Sequence, residues 1–511
     1  MFATEPHYMG TIQPYLASVI FHLFGVSSFT LRLSALILFG CFLLFIYLLT
    51  RLLYTHNMAL LALLLLSLGT QFMFTPQIMV EGGVVETLMF ASMLMLLSTW
   101  LALTTGRAAI GGWARWRLVL YGGWGLAAGA ALWSDYLIGP WLLGASLLLV
   151  IFCWREWRKA GLVCLLIGFI IGTLPIILYN LHPVPGENLF QVIWNLLHST
   201  VPGTTIDAFV RLKQCVGTFL YGLPMMSGLV PACTLNSLPA FTPMDAHVAM
   251  CVLLNGSWGL SYVVLLLLAA VLSAPALRDL RRLYRSQSGA WSHEKRRAAV
   301  QHAARLMLLL AAALTIALYA LNPISGQRPW STRYLTCVLV ATPAILSPLW
   351  SGKNSISLLP QRFSLRFASA LSMLRCVLIA LILLSFLAST AMIAQSVPAA
   401  TAHDQHEYQL VSDLLGRHIT RIYSEYWTCG RIMFQSQEKI ICAVVDDHMR
   451  VSHNRYEPYA KTVVADAHAA YIFPTDPVYT AYVNNCAKIL LGSSMQYRRS
   501  VFDDYIIFVP V

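Results

Sequence analysis

Long apolar runs separated by short polar segments fill the first 400 positions of the chain. Ten of these runs have about the 17–25 residues that a helix needs to cross a bilayer. They lie near residues 27–54, 58–75, 84–104, 117–135, 138–154, 160–180, 251–275, 306–321, 334–350 and 376–396. The pattern predicts an all-α polytopic membrane domain of about ten transmembrane helices over residues 1–400.

The pattern changes near residue 401, where twelve of the 22 acidic residues follow and no further span appears. A helical pattern in DQHEYQLVSDLLGRH precedes four short strand-like runs, RIYSEYW, KIICAVV, AAYIFP and DYIIFVP. A second helical pattern, PVYTAYVNNCAKILLGSS, lies before the last of these runs. Alternating strands and helices predict a small α/β domain over residues 401–511. Asp446 and Asp447 are interpreted as a solvated turn, since no third metal ligand is suitably spaced.

Composition supports a membrane location. Hydrophobic residues make up 58% of the 511 positions, charged residues only 11%, and the mean hydropathy is +0.66. Soluble domains carry about 25% charged residues. Of the eleven cysteines, several lie within apolar runs, and none forms a CxxC pair or a Cys/His cluster with zinc spacing, so we expect no metal. Cys215 with Cys233, and Cys429, Cys442 and Cys486 in the tail, could form disulfides of open connectivity.

The net charge of +12 is explained by topology and needs no nucleic acid. Eighteen of the 34 basic residues fall in alternate loops, near residues 107–117, 155–159, 278–305 and 353–375. The positive-inside rule makes this side cytoplasmic. The opposite loops, 1–26, 76–83, 134–136, 181–250 and 322–333, are then extracytoplasmic together with the tail. The first basic residue is Arg32, no signal sequence precedes it, and we expect a further span upstream of Met1.

Acidic residues gather on the outer side. Residues 1–400 contain ten, and seven fall on or near the outer face, namely Glu5, Glu81, Glu86, Asp135, Glu187, Asp207 and Asp245. Carboxylates at membrane boundaries are costly and mark functional sites. The chemistry is therefore predicted on the outer face.

Several segments, in their order along the chain, resemble GT-C membrane glycosyltransferases. The stretch YMGTIQPYLASVIFHLFGVSSFTLRLSALILFG is similar to the first outer loop and following span of the bacterial relatives of dolichyl-phosphate-mannose protein mannosyltransferases and of the aminoarabinose lipid A transferase. Its residues 25–33 match a G-x-s-x-x-x-x-R-L pattern. EGGVVETLMF, GTLPIILYN, TRYL at 332–335, and the tail segments YSEYW and NRYEPY resemble later parts of these proteins.

The resemblance implies a multi-pass plasma-membrane enzyme that transfers a hexose or pentose from a polyprenyl-phosphate donor to a glycan, lipid or protein of the cell envelope. It implies a carboxylate that accepts the acceptor's proton. The candidates are Glu86, Glu5 and Glu81. Glu86 matches a second acidic position at the entry of a span, although the helix dipole alone would favour a charge there. The family's leading carboxylate precedes Met1 or is replaced by Glu5, and Gln13 stands where relatives often have Glu.

The departing phosphate needs cations, and arginine is suited to this through its planar fork. The candidate residues for binding the donor phosphate are Arg333, Tyr334, Arg328, Arg211 and Lys213. Arg333 lies at the outer membrane boundary, where snorkelling alone would also explain an arginine. Asp135 is interpreted as the cap of a tight turn in WSDY. Arginine and lysine can hold a single phosphate, so no cofactor is expected.

Two other classes remain open. A transporter or lipid-linked sugar flippase is the alternative, although the two halves show no repeat of the kind that many transporters have. A purely structural membrane protein would not need seven carboxylates on one face.

Overall fold

The structure, a computed structural model, describes residues 12–78, 83–105, 113–156, 160–181, 208–229, 246–275, 278, 293–322, 329–350, 361–454, 456–492 and 495–511. These residues form two compact units. The membrane unit contains residues 12–19 and Arg32–Ile393, and the tail unit contains Ile20–Leu31 and Ala394–Val511. Each unit has a hydrophobic core of its own.

The helices are as follows. The first group is α1 (Ile12–Phe24), α2 (Ser28–Leu53), α3 (His56–Ser67), α4 (Gln71–Ile78), α5 (Val84–Thr104), α6 (Trp113–Ser134), a 3₁₀ turn (Tyr136–Ile138), α7 (Gly139–Glu156) and α8 (Leu162–Leu181). The second group is α9 (Ala208–Gly217), a π-helical turn (Thr218–Gly222), α10 (Leu223–Met226), α11 (Ala246–Ser273), α12 (His293–Leu321), a 3₁₀ helix (Pro329–Ala341), α13 (Thr342–Trp350) and α14 (Gln361–Gly416).

Eight helical segments in the described part of the chain are long and apolar enough to cross a membrane. They are Ser28–Leu53, Val84–Thr104, Tyr136–Glu156, Leu162–Leu181, Val248–Ser273, Glu294–Leu321, Ser331–Trp350 and Ala370–Gly416. These segments confirm the predicted polytopic helical fold. The chain is a multi-pass membrane protein.

The apolar run over 58–75 predicts one span, but the structure has two helices there. Helix α3 ends at Ser67, and Leu68 adopts an extended conformation with φ −111° and ψ 158°. Thr70 then starts α4, because its hydroxyl oxygen accepts the backbone N–H of Met73 at 3.2 Å and donates to the Met225 carbonyl at 3.0 Å. A polar cap inside an apolar run thus divides the predicted span, a feature that hydropathy does not register.

Glycines on α6 and α8 bring the two helices into backbone contact. A Cβ atom added at Gly125 would lie 2.0 Å from the Leu165 carbonyl oxygen, and one added at Gly168 would lie 2.0 Å from a backbone oxygen of α6. Gly129 and Gly172 follow four residues later on the respective helices and face similar contacts at 2.5 and 2.3 Å. This is the small-xxx-small spacing that lets membrane helices approach closely.

Gly125→Ala is expected to lower the thermal stability of the membrane unit. The new methyl group would overlap the Leu165 carbonyl, and such overpacking costs about 1–3 kcal/mol. Gly123→Ala is the matched control on the same helix, because no atom lies within 4 Å of its added Cβ. Thermal unfolding of both variants in detergent checks the prediction. Equal melting temperatures of the two variants would show that α6 and α8 can move apart without a loss of stability.

A buried ion pair joins α6 to α7 at the ends with the predicted cytoplasmic charges. Arg117 is 3% exposed, its Nη2 lies 2.8 Å from Glu156 Oε2, and the same nitrogen donates to the Leu101 carbonyl at 3.0 Å. The Tyr121 hydroxyl also donates to Glu156 Oε2 at 3.0 Å. Arg117 and Glu156 are therefore part of the helix packing rather than loop charges.

The tail unit contains a five-stranded mixed sheet with the order β2-β1-β3-β5-β4. The strands are β1 (Arg421–Ser424), β2 (Ile441–Val444), β3 (Ala470–Pro474), β4 (Tyr497–Phe502) and β5 (Tyr505–Pro510). Strand β1 pairs in parallel with β2 and β3, whereas β5 pairs antiparallel with β3 and β4. Helices α15 (Tyr426–Gln435), α16 (Glu457–Val464) and α17 (Thr480–Leu491) connect successive strands. The alternation confirms the predicted α/β domain.

The structure shows which of the candidate disulfide cysteines are paired. Cys429 and Cys442 form a disulfide with Cα atoms 5.4 Å apart, while Cys486 is a buried thiol whose pKa burial raises to about 11. Cys215, in the membrane unit, is also a free thiol, so it does not pair with Cys233.

In the tail unit, Asp446 caps a turn: its Oδ1 accepts the backbone N–H groups of residues 450 and 448 at 2.8 and 2.9 Å. The turn interpretation of Asp446 is confirmed.

Candidate functional site

The best-defined polar cluster of the membrane unit surrounds the first turn of α5. Glu86 has no exposed surface. Its Oε1 accepts the backbone N–H of Gln13, at the start of α1, and its Oε2 accepts the hydroxyl proton of Ser134, at the end of α6. One carboxylate thus links the starts of α1 and α5 to the end of α6.

Gly83 explains why α5 begins at this place. It has φ +82°, a conformation that side chains other than hydrogen adopt at a cost. A Cβ atom there would lie 2.9 Å from the Ser134 carbonyl oxygen and 3.0 Å from Asp135 Cβ. The absence of a side chain allows the start of α5 to press against Ser134 and Asp135, which are called the Ser-Asp turn below.

Asp135 is the second carboxylate of the cluster. It is 6% exposed, and its Oδ1 accepts the backbone N–H of Leu137 at 2.9 Å, which confirms the predicted turn cap. The structure adds two electrostatic interactions to this role: repulsion from Glu86 and attraction to the guanidinium of Arg333. The 3₁₀ turn after Asp135 also packs against the 3₁₀ helix that carries Arg333.

Arg333 and Tyr334 lie near the start of the 3₁₀ helix Pro329–Ala341. The Cζ atom of Arg333 lies 5.2 Å from the centroid of the Tyr334 ring, and Nη2 lies 3.4 Å from the phenolic oxygen. The Thr336 hydroxyl donates to the Arg333 carbonyl at 2.5 Å. The guanidinium thus contacts an aromatic ring and is attracted to the carboxylate of Asp135. Thirteen residues of 3₁₀ helix are unusual, because runs longer than 3–4 residues are uncommon.

An apolar cavity of about 800 Å³ lies in the same unit, between α11, α13 and α14. On α14 its wall extends from Leu371 to Phe386, which is ~22 Å at the helical rise of 1.5 Å per residue. Polar groups are sparse in this wall. Trp258 Nε1 donates to the Ser227 hydroxyl oxygen at 2.9 Å, and Arg375 also lines the cavity. The cavity has the length and lining to accept a hydrocarbon chain.

The predicted site residues divide into three groups. Glu86 bonds to the Ser-Asp turn, Arg333 interacts electrostatically with Asp135 of that turn, and Tyr334 contacts Arg333. Arg211 and Lys213 lie on α9, where Arg211 is exposed and Lys213 Nζ lies 4.6 Å above the Phe209 ring, so their phosphate-binding role stays a prediction. Three predicted residues lie outside the described part of the chain, namely Glu5, Glu81 and Arg328.

Sequence reasoning missed two features of the cluster. Gln13 contributes through its backbone N–H, which no residue identity reveals. Asp135 and Arg333 are nearly two hundred positions apart, and the cap in WSDY gives no sign of the arginine. Gly83 is a sequence feature that could have predicted this cluster, because a glycine immediately before an acidic helix start indicates a close approach of the backbone to another segment.

The fold and this cluster define a multi-pass membrane protein with an α/β domain and a buried acid–arginine site. No protein-family model matches the chain, and no curated protein sequence matches it. ArnT from Cupriavidus metallidurans bound to undecaprenyl phosphate is a similar solved structure, with 14% identity and a TM-score of 0.49 over 98% of this chain and 87% of that one.

A second similar structure is the archaeal oligosaccharyltransferase AglB from Archaeoglobus fulgidus, in complex with an inhibitory peptide and a dolichol-phosphate. Its identity is 12% and its TM-score 0.41, over 98% of this chain and 66% of that one. Both structures belong to the GT-C superfamily, which the sequence segments also resemble. At these identities and TM-scores the likeness assigns neither an activity nor a substrate to this chain.

Proposed function

We propose that the chain is a membrane glycosyltransferase of the GT-C type. It transfers a sugar from a polyprenyl-phosphate donor to an acceptor of the cell envelope on the extracytoplasmic face. The observation that carries the proposal is the electrostatic attraction between a nearly buried carboxylate, Asp135, and the Arg333 guanidinium, whose 3₁₀ helix packs against the turn that follows Asp135. A sugar transfer needs both a proton acceptor and a cation for the departing phosphate.

The apolar cavity supports a donor with a long hydrocarbon chain. The 3₁₀ helix that carries Arg333 also provides two residues of the cavity wall, Val338 and Leu339. At ~2.0 Å per residue, Val338 lies ~10 Å along the helix from Arg333. A phosphate bound at Arg333 can therefore have its isoprenoid chain in the cavity.

In the proposed reaction the acceptor oxygen or nitrogen forms a bond with the anomeric carbon of the sugar. The bond between that carbon and the phosphate oxygen breaks, and the polyprenyl phosphate leaves with the bonding electrons. The acceptor proton passes to Asp135. Arg333 stabilises the charge that develops on the phosphate, and Tyr334 holds the guanidinium in place.

We favour Asp135 over Glu86 as the proton acceptor. Both oxygens of Glu86 already accept hydrogen bonds, and none of its surface is exposed. Asp135 retains a small exposed fraction, and among the described residues only its Oδ1 accepts a hydrogen bond. Its second oxygen therefore remains available to accept a proton from an acceptor.

The extracytoplasmic side follows from the loop charges, because the basic loops are cytoplasmic by the positive-inside rule. The tail unit is then extracytoplasmic, and we assign it a role in acceptor binding. The catalytic groups of the proposal all lie in the membrane unit, at Asp135, Arg333 and Tyr334.

The test uses the purified full chain in liposomes, with radiolabelled polyprenyl-phosphate hexoses and pentoses and a cell-envelope extract as the acceptor source. The proposal expects labelled product together with released polyprenyl phosphate. Asp135→Asn protein in the same liposomes is the control. Movement of the donor across the bilayer without transfer to any acceptor would instead identify a lipid-linked sugar flippase.

A further inference from the structure

We propose that Glu86 is a positioning residue that fixes the start of α1 to the Ser-Asp turn, and so sets the place of Asp135. The consequence for catalysis rests on the proposed function, whereas the link itself is a property of the fold. The link depends on both oxygens of one buried side chain, each bonded to a different part of the chain.

The first oxygen caps α1. The first four N–H groups of any helix lack partners within that helix. Glu86 Oε1 accepts the N–H of Gln13, the second residue of α1. A negative charge at this end is further favoured by the helix dipole. Glu86 is 73 positions away along the chain, so α1 is capped by a residue from another helix.

The second oxygen holds the Ser-Asp turn. Ser134 is 1% exposed, and its hydroxyl donates to Glu86 Oε2. The next residue is Asp135, whose Oδ1 accepts the Leu137 N–H and which packs so closely on Gly83 that an added Cβ there would lie 3.0 Å from its own Cβ. A shift of Ser134 would therefore carry Asp135 with it relative to Arg333.

The burial of Glu86 separates this role from direct catalysis. A carboxylate with no exposed surface and both oxygens occupied cannot approach an acceptor without breaking one of the links. Glu86→Gln preserves the shape of the side chain and can keep both links, because its amide oxygen accepts the Gln13 N–H while its nitrogen donates to the Ser134 hydroxyl oxygen. Glu86→Met has a similar length and can make neither link.

The experiment compares wild type, Glu86→Met and Glu86→Gln in full-length protein by hydrogen exchange of the peptide over residues 12–24. Loss of a helix cap typically weakens the first turn enough for roughly fivefold faster exchange, which we expect for Glu86→Met. Glu86→Gln is the matched control. It keeps both links, so its exchange should match wild type.

Kinetics supply the second readout. For Glu86→Met we expect kcat to fall roughly tenfold, while KM for the donor stays within about twofold, because Arg333 and the cavity are unchanged. Ser134→Ala, which removes only the link to the turn, should lower kcat about threefold without faster exchange in α1. It keeps the test available if Glu86→Met protein does not fold.

Unchanged exchange in Glu86→Met would overturn the proposal. So would a kcat loss beyond a thousandfold in Glu86→Gln with α1 still protected, because that pattern identifies a proton acceptor. If wild-type protein transfers no sugar from any donor, the proposed function fails, and hydrogen exchange still decides whether Glu86 caps α1.

Discussion

Replacement of Arg333 by alanine is expected to lower kcat/KM for sugar transfer by roughly 30- to 900-fold. This range corresponds to about 2–4 kcal/mol of lost transition-state stabilisation, as for the loss of one preorganised donor to a developing negative charge. A polyprenyl-phosphate donor brings its phosphate to the membrane boundary, where the stem of an arginine lies in the apolar layer and its guanidinium in the interface. Rates of transfer from a labelled donor measure the effect.

Lysine at position 333 should retain part of the activity. It keeps the positive charge but loses the planar fork that binds two phosphate oxygens at once. Arg417→Ala is a control for the loss of an arginine, since Arg417 is exposed and pairs with Asp413 within the tail unit. Melting temperatures of all three variants should differ little. Transfer by Arg333→Ala at the wild-type rate would leave the residue only a role as a membrane anchor.

Replacement of Asp135 by asparagine is expected to reduce kcat by roughly 100- to 10,000-fold, the usual contribution of a positioned general base. Asparagine retains a side-chain oxygen that can accept the Leu137 N–H, so the turn cap should persist and folding should be unaffected. Initial rates and the melting temperature are measured on the same preparation. The comparison separates the loss of proton transfer from loss of the turn.

Asp446→Asn provides the matched control for this substitution. Asp446 also caps a turn through two backbone N–H groups, but it belongs to the tail unit. It should leave the transfer rate unchanged. Full activity of Asp135→Asn would assign the proton transfer to another carboxylate, and Glu5 and Glu81 would be the first to test.

The membrane fold could be predicted from the sequence because a helix needs a minimum apolar length to cross a lipid bilayer. Apolar length predicts a spanning helix, and eight helical segments satisfy that rule in the described chain. The break between α3 and α4 escaped the rule, since one threonine hydroxyl makes the difference and hydropathy averages over it. The strand–helix alternation of the tail could be predicted in the same way. Strand β4 lacks an apolar pattern, because it contains two adjacent arginines and no fully buried residue.

The candidate site was predictable only in part. Arg333 and Glu86 could be selected because charges at membrane boundaries are costly and therefore informative. Their partners could not be selected in the same way. The bonds from Glu86 to Gln13 and to Ser134 join positions 73 and 48 residues apart, and one of them uses a backbone group. Such contacts depend on helix packing, which the order of residues does not display.

The 3₁₀ helix at Pro329–Ala341 changes both the reach and the alignment of the residues it carries. With three residues per turn, side chains at every third position lie along one line. Arg333, Thr336 and Leu339 therefore share a single edge of this helix, ~12 Å long at ~2.0 Å per residue. An α-helix, at 3.6 residues per turn, would turn Leu339 about 120° away from Arg333 over the same six positions. The tighter winding therefore places a charged head group and an apolar side chain of the cavity wall on one line, whereas an α-helix would separate them around its axis.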